Sequence, residues 1–290
     1  MASKRVLNIE ARLDELLAAE EPALIRWLQR TWKVQTADIT DVELRAAIVA
    51  GELPTDWAAR FQERYAEFIN ERMVPRWEKG ADEGVAAVAV GVTALGIEHD
   101  FSMLEGRIKQ WVEQRGGELV TGLTARQMQA LRSVLTYHTV TAPMAEKELM
   151  KLLRPLVGLT PGQAEAVRKQ REALIESGLK VSKVERIVQR TAARYRTIRA
   201  KRIARTELAF AHNKGTQAAV EDVAASGAFD GPVEKVWVTQ EDERVCVVCG
   251  PLDGVTVGLS GEFEVPRRGM ANVEVPPAHP SCRCLLKYVT

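Results

Sequence analysis

The sequence predicts a mainly α protein, with long helices followed by a small C-terminal α+β module that is zinc-stabilised. Three observations carry this expectation. Helix-start signals and apolar residues at helical spacing run to about residue 226; strand formers, glycines and prolines take over after it; and all four cysteines fall in the last forty-five residues.

At 290 residues and 46% hydrophobic, the chain can bury a real core in one or two domains. Its start, Met1 to Arg5, is basic but leads into an amphipathic pattern with Arg12, Asp14 and Glu15 instead of an apolar signal core, so secretion is not expected. Four capping boxes predict helix starts: Thr40 with Glu43, Thr124 with Gln127, Thr160 with Gln163, and Ser182 with Glu185. Pro161 at the first helical position strengthens the third. Phe61, Tyr65 and Phe68, then Met128, Leu131 and Leu135, lie at helical spacing between these starts. The most apolar run, Gly84 to Ile97, falls short of the ~20 residues that cross a bilayer, so a buried helix is expected and no membrane contact. Its small residues allow close packing against a neighbour.

From Ser182 no proline or glycine occurs until Gly215, which predicts one long helix or two abutting ones. Val184, Ile187, Thr191, Tyr195 and Ile198 form its expected apolar stripe, and Arg186, Arg190 and Arg194 run along another face. Between Ser182 and Gly215 ten Lys and Arg face two acids, a net of +8 in a chain of net +1. Arg186, Arg190, Arg194, Arg199 and Arg202 are the candidate contacts to DNA phosphates or an acidic protein surface; an ordinary solvated face is the competing reading. Without interleaved aromatic residues there is no platform for base stacking, so sequence-specific recognition is not expected.

After Gly227 the stretch Val233 to Thr239 reads as a strand. Asp253-Gly254 reads as the turn of a hairpin between Pro251-Leu252 and Val255 to Val257, and Leu285 to Val289 as a closing strand. In this module Cys246-Val-Val-Cys249 precedes His279-Pro-Ser-Cys282-Arg-Cys284 by about thirty residues. A C-x-x-C turn lets two thiolates converge on one ion, and Gly250 after it is expected to free the backbone so that amides point at the sulfurs. Zinc takes four ligands and five donors are present, so one is spare. Cys246, Cys249 and Cys282 are expected to ligate, with His279 or Cys284 as the fourth. Free thiols, or two disulfides in an oxidising compartment, are the alternatives. A zinc clamp suits a loop-rich piece too small for a deep core. Four sulfur or imidazole ligands close the shell to water, so a catalytic zinc hydrolase is not expected.

The order Ile203-Ala-Arg205-Thr206-Glu207, Ala211-His-Asn213-Lys-Gly215, Trp237, Asp242-Glu-Arg-Val-Cys246-Val-Val-Cys249, Leu252-Asp-Gly254 and Pro276-Pro-Ala-His279-Pro-Ser-Cys282-Arg-Cys284 resembles the C-terminal domain of the Mu F-like head-morphogenesis family, minor capsid proteins of tailed bacteriophages. It divides the chain into a helical domain, 1–158, and a Mu F-like domain, 159–290. The resemblance implies a low-copy protein of procapsid assembly near the portal vertex, in host cytoplasm during assembly and in the virion head afterwards, and able to leave the head with DNA. Portal protein, major capsid protein and scaffold protein are the implied partners, with packaged DNA held without sequence specificity. Arg205 and Glu207 stand two apart on a helix and so do not share a face; each is expected to pair elsewhere, Glu207 with the β-rich module through backbone amides or Arg283. Asn213 is expected to tie a loop at the helix end, and Asp242 to cap the turn before Cys246. Similar domains are sometimes joined to ADP-ribosyltransferase modules. With no glycine-rich phosphate cradle and no nucleophile beside a base, an assembly component and not an enzyme is expected. A DNA-binding virion protein delivered with the genome and an ADP-ribosyltransferase-like enzyme stand as the alternatives.

Overall fold

A computed structural model describes residues 6–7, 12–240 and 245–290. The elements are strand β1 (Val6–Leu7), then helices α1 (Leu13–Ala37), α2 (Asp41–Ala50), α3 (Asp56–Phe68), α4 (Val74–Ala94), α5 (Leu104–Thr136), α6 (Glu146–Leu153), α7 (Pro161–Glu176) and α8 (Val181–Ala225). Strands β2 (Glu234–Val238), β3 (Thr256–Gly258) and β4 (Leu285–Val289) follow. The protein is thus mainly α with a small C-terminal sheet, and the change falls where the composition shifts. No helix among the described residues is long and apolar enough to cross a membrane.

Two of the four capping boxes form. Thr40 and Glu43 cap α2 reciprocally, and Thr160 with Gln163 does the same for α7, where Pro161 occupies the first position. Thr124 is instead buried inside α5, because Leu123, Met128 and Leu131 carry one apolar stripe past it with no breaker between. Ser182 lies one residue inside α8, and the Glu185 carboxylate accepts two hydrogen bonds from Arg171 at 3.0 Å instead of one from the helix start.

Compactness divides the chain into two units: Met1–Pro22, Val74–Gln114 and Arg202–Thr290 form the first, Ala23–Met73 and Arg115–Lys201 the second. Helices α1, α5 and α8 each contribute residues to both, so residues 1–158 and 159–290 both enter each unit.

In the second unit, Trp57 and Phe61 of α3, Leu131, Val134 and Leu135 of α5, Leu149, Leu152 and Leu153 of α6 and Val184, Val188 and Ala192 of α8 share one apolar cluster. The buried stripe of α8 runs through Val188 and Ala192, and Ile198, expected on it, is largely exposed. A polar chain crosses this interior. Trp32 donates its indole N–H to Tyr65 (2.8 Å), the Tyr65 hydroxyl donates to Gln127 Oε1 (2.6 Å), and the Gln127 amide donates to Gln35 (3.2 Å). Each buried polar group there finds a partner, which keeps the chain from costing stability.

In the first unit, the small residues of the apolar run bring α4 against α8 at backbone distance. A Cβ on Gly84 would lie 2.3 Å from the His212 carbonyl oxygen, and one on Gly215 would lie 2.1 Å from that of Ala81. Gly215 is therefore a packing residue inside α8, and the helix passes it to end at Ala225. Trp77, Trp111 and Phe210 extend the contact edge to face. The sheet has the order β1-β4-β2-β3, antiparallel throughout. Asp253-Gly254 does turn the chain, with Gly254 at φ +74°, but β3 pairs with β2 and not with residues 251–252. Pro251 lacks a ladder donor, and Gly250–Leu252 forms a 3-10 turn. β1 was not anticipated, because a two-residue strand carries no alternation to read. The Tyr288 hydroxyl donates to Gln217 (2.9 Å) and fastens β4 to α8.

His212, at the α4 crossing, is buried with neither ring nitrogen hydrogen-bonded among the described residues, and burial lowers its pKa to about 4. The unfolded chain takes up this proton as pH falls through about 6.5, whereas the folded chain stays neutral to about 4. The resulting stability is fully present above the unfolded pKa and is lost as pH drops towards the folded one. Relative to His212→Leu, the wild type should lose on the order of 3 kcal/mol more between pH 7 and 4, measured by urea denaturation. Gly84→Ala and Gly215→Ala should each destabilise by at least about 1–3 kcal/mol in thermal melts, since backbone must move. Gly117→Ala, on open surface of α5, should stabilise by about 0.5–1 kcal/mol.

Candidate metal centre

The cysteine-rich segment is carried by β2, β4 and the loops next to them, and α8 positions it. Thr206 of α8 donates its hydroxyl to the Arg202 carbonyl (2.7 Å) and accepts the Ser281 N–H (2.8 Å). That bond fixes the His279-to-Cys282 knuckle, which closes through a Cys282 N–H to His279 carbonyl bond (3.1 Å) and holds Ser281 at φ +66°. Asn213 donates to the Ala209 carbonyl (2.9 Å) and to the Cys284 carbonyl (3.3 Å). It therefore ties the second cysteine pair from within the helix, since α8 continues for another three turns. Thr206 was missed as an anchor; its only signal is a small hydroxyl residue in a basic helix.

All four cysteines are free thiols, and all five donors converge. His279 Nε2 lies 2.9 Å from Cys246 Sγ and 3.0 Å from Cys249 Sγ, and Cys249 Sγ lies 3.7 Å from Cys282 Sγ. Cys246, Cys249 and His279 form one trio that can hold a metal ion, Cys249, Cys282 and Cys284 a second; Cys249 belongs to both. A cavity of about 40 Å³ lies among them. Ideal zinc bonds set about 3.8 Å between two sulfurs and about 3.6 Å between sulfur and nitrogen, so the sulfur pair already matches, and the imidazole edge needs to open by about 0.6–0.7 Å. The Nδ1 side of His279 faces the Pro280 carbonyl at 3.0 Å, which places the proton there and leaves Nε2 free to ligate.

The Cys249 N–H points at Cys246 Sγ (3.4 Å) and the Cys284 N–H at Cys282 Sγ (3.5 Å). Gly250 is not the source of these bonds: its own N–H bonds the Cys246 carbonyl (2.9 Å) and its φ is not left-handed. Hydrogen bonds from Cys249 and Cys284 lower the Cys282 pKa below the usual thiol range, towards the thiolate form that binds metal. The bond to Cys282 and burial push Cys249 up. Cys249 pulls Cys284 down, but Cys282 and burial win and raise it to about 12; the Trp237 indole beside it opposes the rise.

Of the remaining predicted residues, Arg205 pairs with Glu21 (Nε to Oε2, 3.0 Å) and Glu207 is buried on α8. Asp242 lies outside the described residues. Arg186, Arg190, Arg194 and Arg202 are exposed, but Arg199 is only 5% exposed and belongs to the interior. Five residues beyond Arg194 turn the helix by about 140°, away from the basic face. Its guanidinium sits 5.4 Å from the Trp32 ring centroid, and burial lowers its pKa.

Residues 165–287 match the family described as Phage Mu protein F like protein. This segment, 123 of the 290 residues, is similar to that family. No curated protein and no solved structure matches the chain. The matched segment contains α8, strands β2 and β3, the start of β4 and all five donors, so the family resembled in motif order is the one whose model matches.

Because Cys249 enters both trios, Cys249→Ser should abolish metal uptake, followed as the thiolate-to-cobalt absorption on Co²⁺ titration. Cys284→Ser should retain it; its loss would move the ion to the second trio.

Proposed function

We propose that the protein is a minor head protein of a tailed bacteriophage that acts in procapsid assembly beside the portal and stays in the virion head. The observation that carries this reading is the Mu F-like segment at residues 165–287. The cluster supports a structural zinc held by Cys246, Cys249, His279 and Cys282, with Cys284 spare under Trp237. Such an ion would supply a cross-link between the two loops, and four protein ligands would leave it no open position for water. Such an ion would be structural and not catalytic, in keeping with an assembly role.

DNA contact is the second reading. It is favoured by Arg186, Arg190, Arg194 and Arg202, which are exposed and have no carboxylate partner among the described residues.

The test is co-expression of the full chain with the portal protein encoded beside it, then separately with the major capsid and scaffold proteins. Truncation at residue 158 is unsuitable, since it cuts both compact units. The tagged chain is expected to retain portal protein through size exclusion. Failure to retain any of the three, together with tight and steeply salt-dependent DNA binding, would replace the assembly reading with the second one.

A further inference from the structure

The second unit carries a groove of about 1020 Å³, walled by α1, the start of α2, α6 and α8. This is at the upper end for ligand pockets and has room for several side chains. Its charge is one-sided. Six lining residues are cationic and two acidic, and both acids are already engaged: Asp41 accepts from Arg154, and Glu185 from Arg171 at 3.0 Å. Of the cations, Arg45 pairs with Glu146 (2.9 Å), and Arg196 donates to the Pro155 and Val157 carbonyls (2.8 and 3.3 Å). Lys33, Lys147 and Lys151 are exposed with no carboxylate partner among the described residues. The first turn of α8 opens onto the same groove through Val181 and Ser182 and contains no acidic residue, so the positive end of that helix adds to the field.

The floor is of another character. Ala37, Met150, Pro155 and Val181 supply apolar surface between the lysines, with Trp32 buried beneath them. We propose that this groove docks an acidic amphipathic segment of a partner protein, carboxylates on Lys33, Lys147 and Lys151 and apolar side chains on the floor. Charge complementarity selects the acidic partner. Protein is favoured over single-stranded nucleic acid because Trp32, the one aromatic residue lining the groove, is fully buried with its indole N–H given to Tyr65, so no ring face is open for a base to stack on. The inference goes beyond the head-assembly reading and does not depend on it.

The probe is a fluorescein-labelled amphipathic peptide of glutamate, leucine and alanine, titrated with the full-length protein and followed by anisotropy. Its analogue with glutamine for glutamate and an oligo-dT strand are the comparators. The combined variant Lys33→Glu, Lys147→Glu, Lys151→Glu should bind the acidic peptide at least about tenfold more weakly. Arg186→Glu, Arg190→Glu, Arg194→Glu, on the exposed face of α8 outside the groove, should change it by less than about twofold. Circular dichroism and thermal melts establish that both variants fold. Equal binding of the glutamine analogue, unchanged affinity in the lysine variant, or an equal loss in the arginine variant would overturn the proposal. So would oligo-dT binding more tightly than the peptide and losing affinity in the lysine variant, which would make the groove a nucleic-acid site.

Discussion

The backbone-to-backbone crossing of α4 and α8 is the constraint on which the Mu F-like segment depends. Gly84 and Gly215 let the two helices meet where a single methyl group on either would enter the carbonyl of the other. Contacts this close are stiff, because no side chain lies between the helices to adjust. They fix the rotation of α8 about its axis. That rotation turns Thr206, Asn213 and Gln217 towards the sheet and its cysteine loops, where each makes a hydrogen bond.

The Cys/His cluster that could hold a metal is the loop end of this packed assembly. Trp237 and Tyr288 are fully buried and Phe263 meets Trp237 edge to face at 5.1 Å between ring centroids, so the sheet has an apolar anchor of its own. The cysteine loops bury only smaller side chains, Val248, Ala278 and three of the cysteines among them. They are held by single hydrogen bonds from α8 and by turns in the chain, which suits five convergent donors better than it suits a hydrophobic interior. An ion bound there would cross-link the two loops and remove conformational freedom that the remaining contacts leave.

The arginines of α8 illustrate how little a charge count says about where charge goes. Arg186, Arg190 and Arg194 face solvent, Arg196 is spent on carbonyl oxygens, Arg199 is buried beside an indole, and Arg205 closes an ion pair with Glu21. One helix thus uses the same side chain as surface, as a tie, as core and as an ionic partner. The net of +8 between Ser182 and Gly215 is divided among these uses instead of forming one continuous surface.

Local chemistry was enough to read the helices capped at Thr40 and Thr160, the strand Glu234–Val238, the strand Leu285–Val289 and the convergence of Cys246, Cys249, His279, Cys282 and Cys284. In each the signal sits within a few residues: a reciprocal cap, an alternation, a short ligand spacing. The family itself was legible for the same reason, as an ordered series of such short motifs. Three-dimensional packing decided what no window contains. Thr124 looks like a cap but is interior to α5, because a tertiary partner buries the stripe on both sides of it. Gly215 looks like a helix end but is a crossing point, since the Ala81 carbonyl that demands it lies far away in the chain. Residues 1–158 and 159–290 divide by the extent of the family resemblance, yet each compact unit takes residues from both, because α1, α5 and α8 each contribute to both units. Sequence alone determined which segments are helix or strand and which side chains can bind metal. Their partners were decided by the fold, because a buried contact depends on two surfaces and a local pattern describes only one.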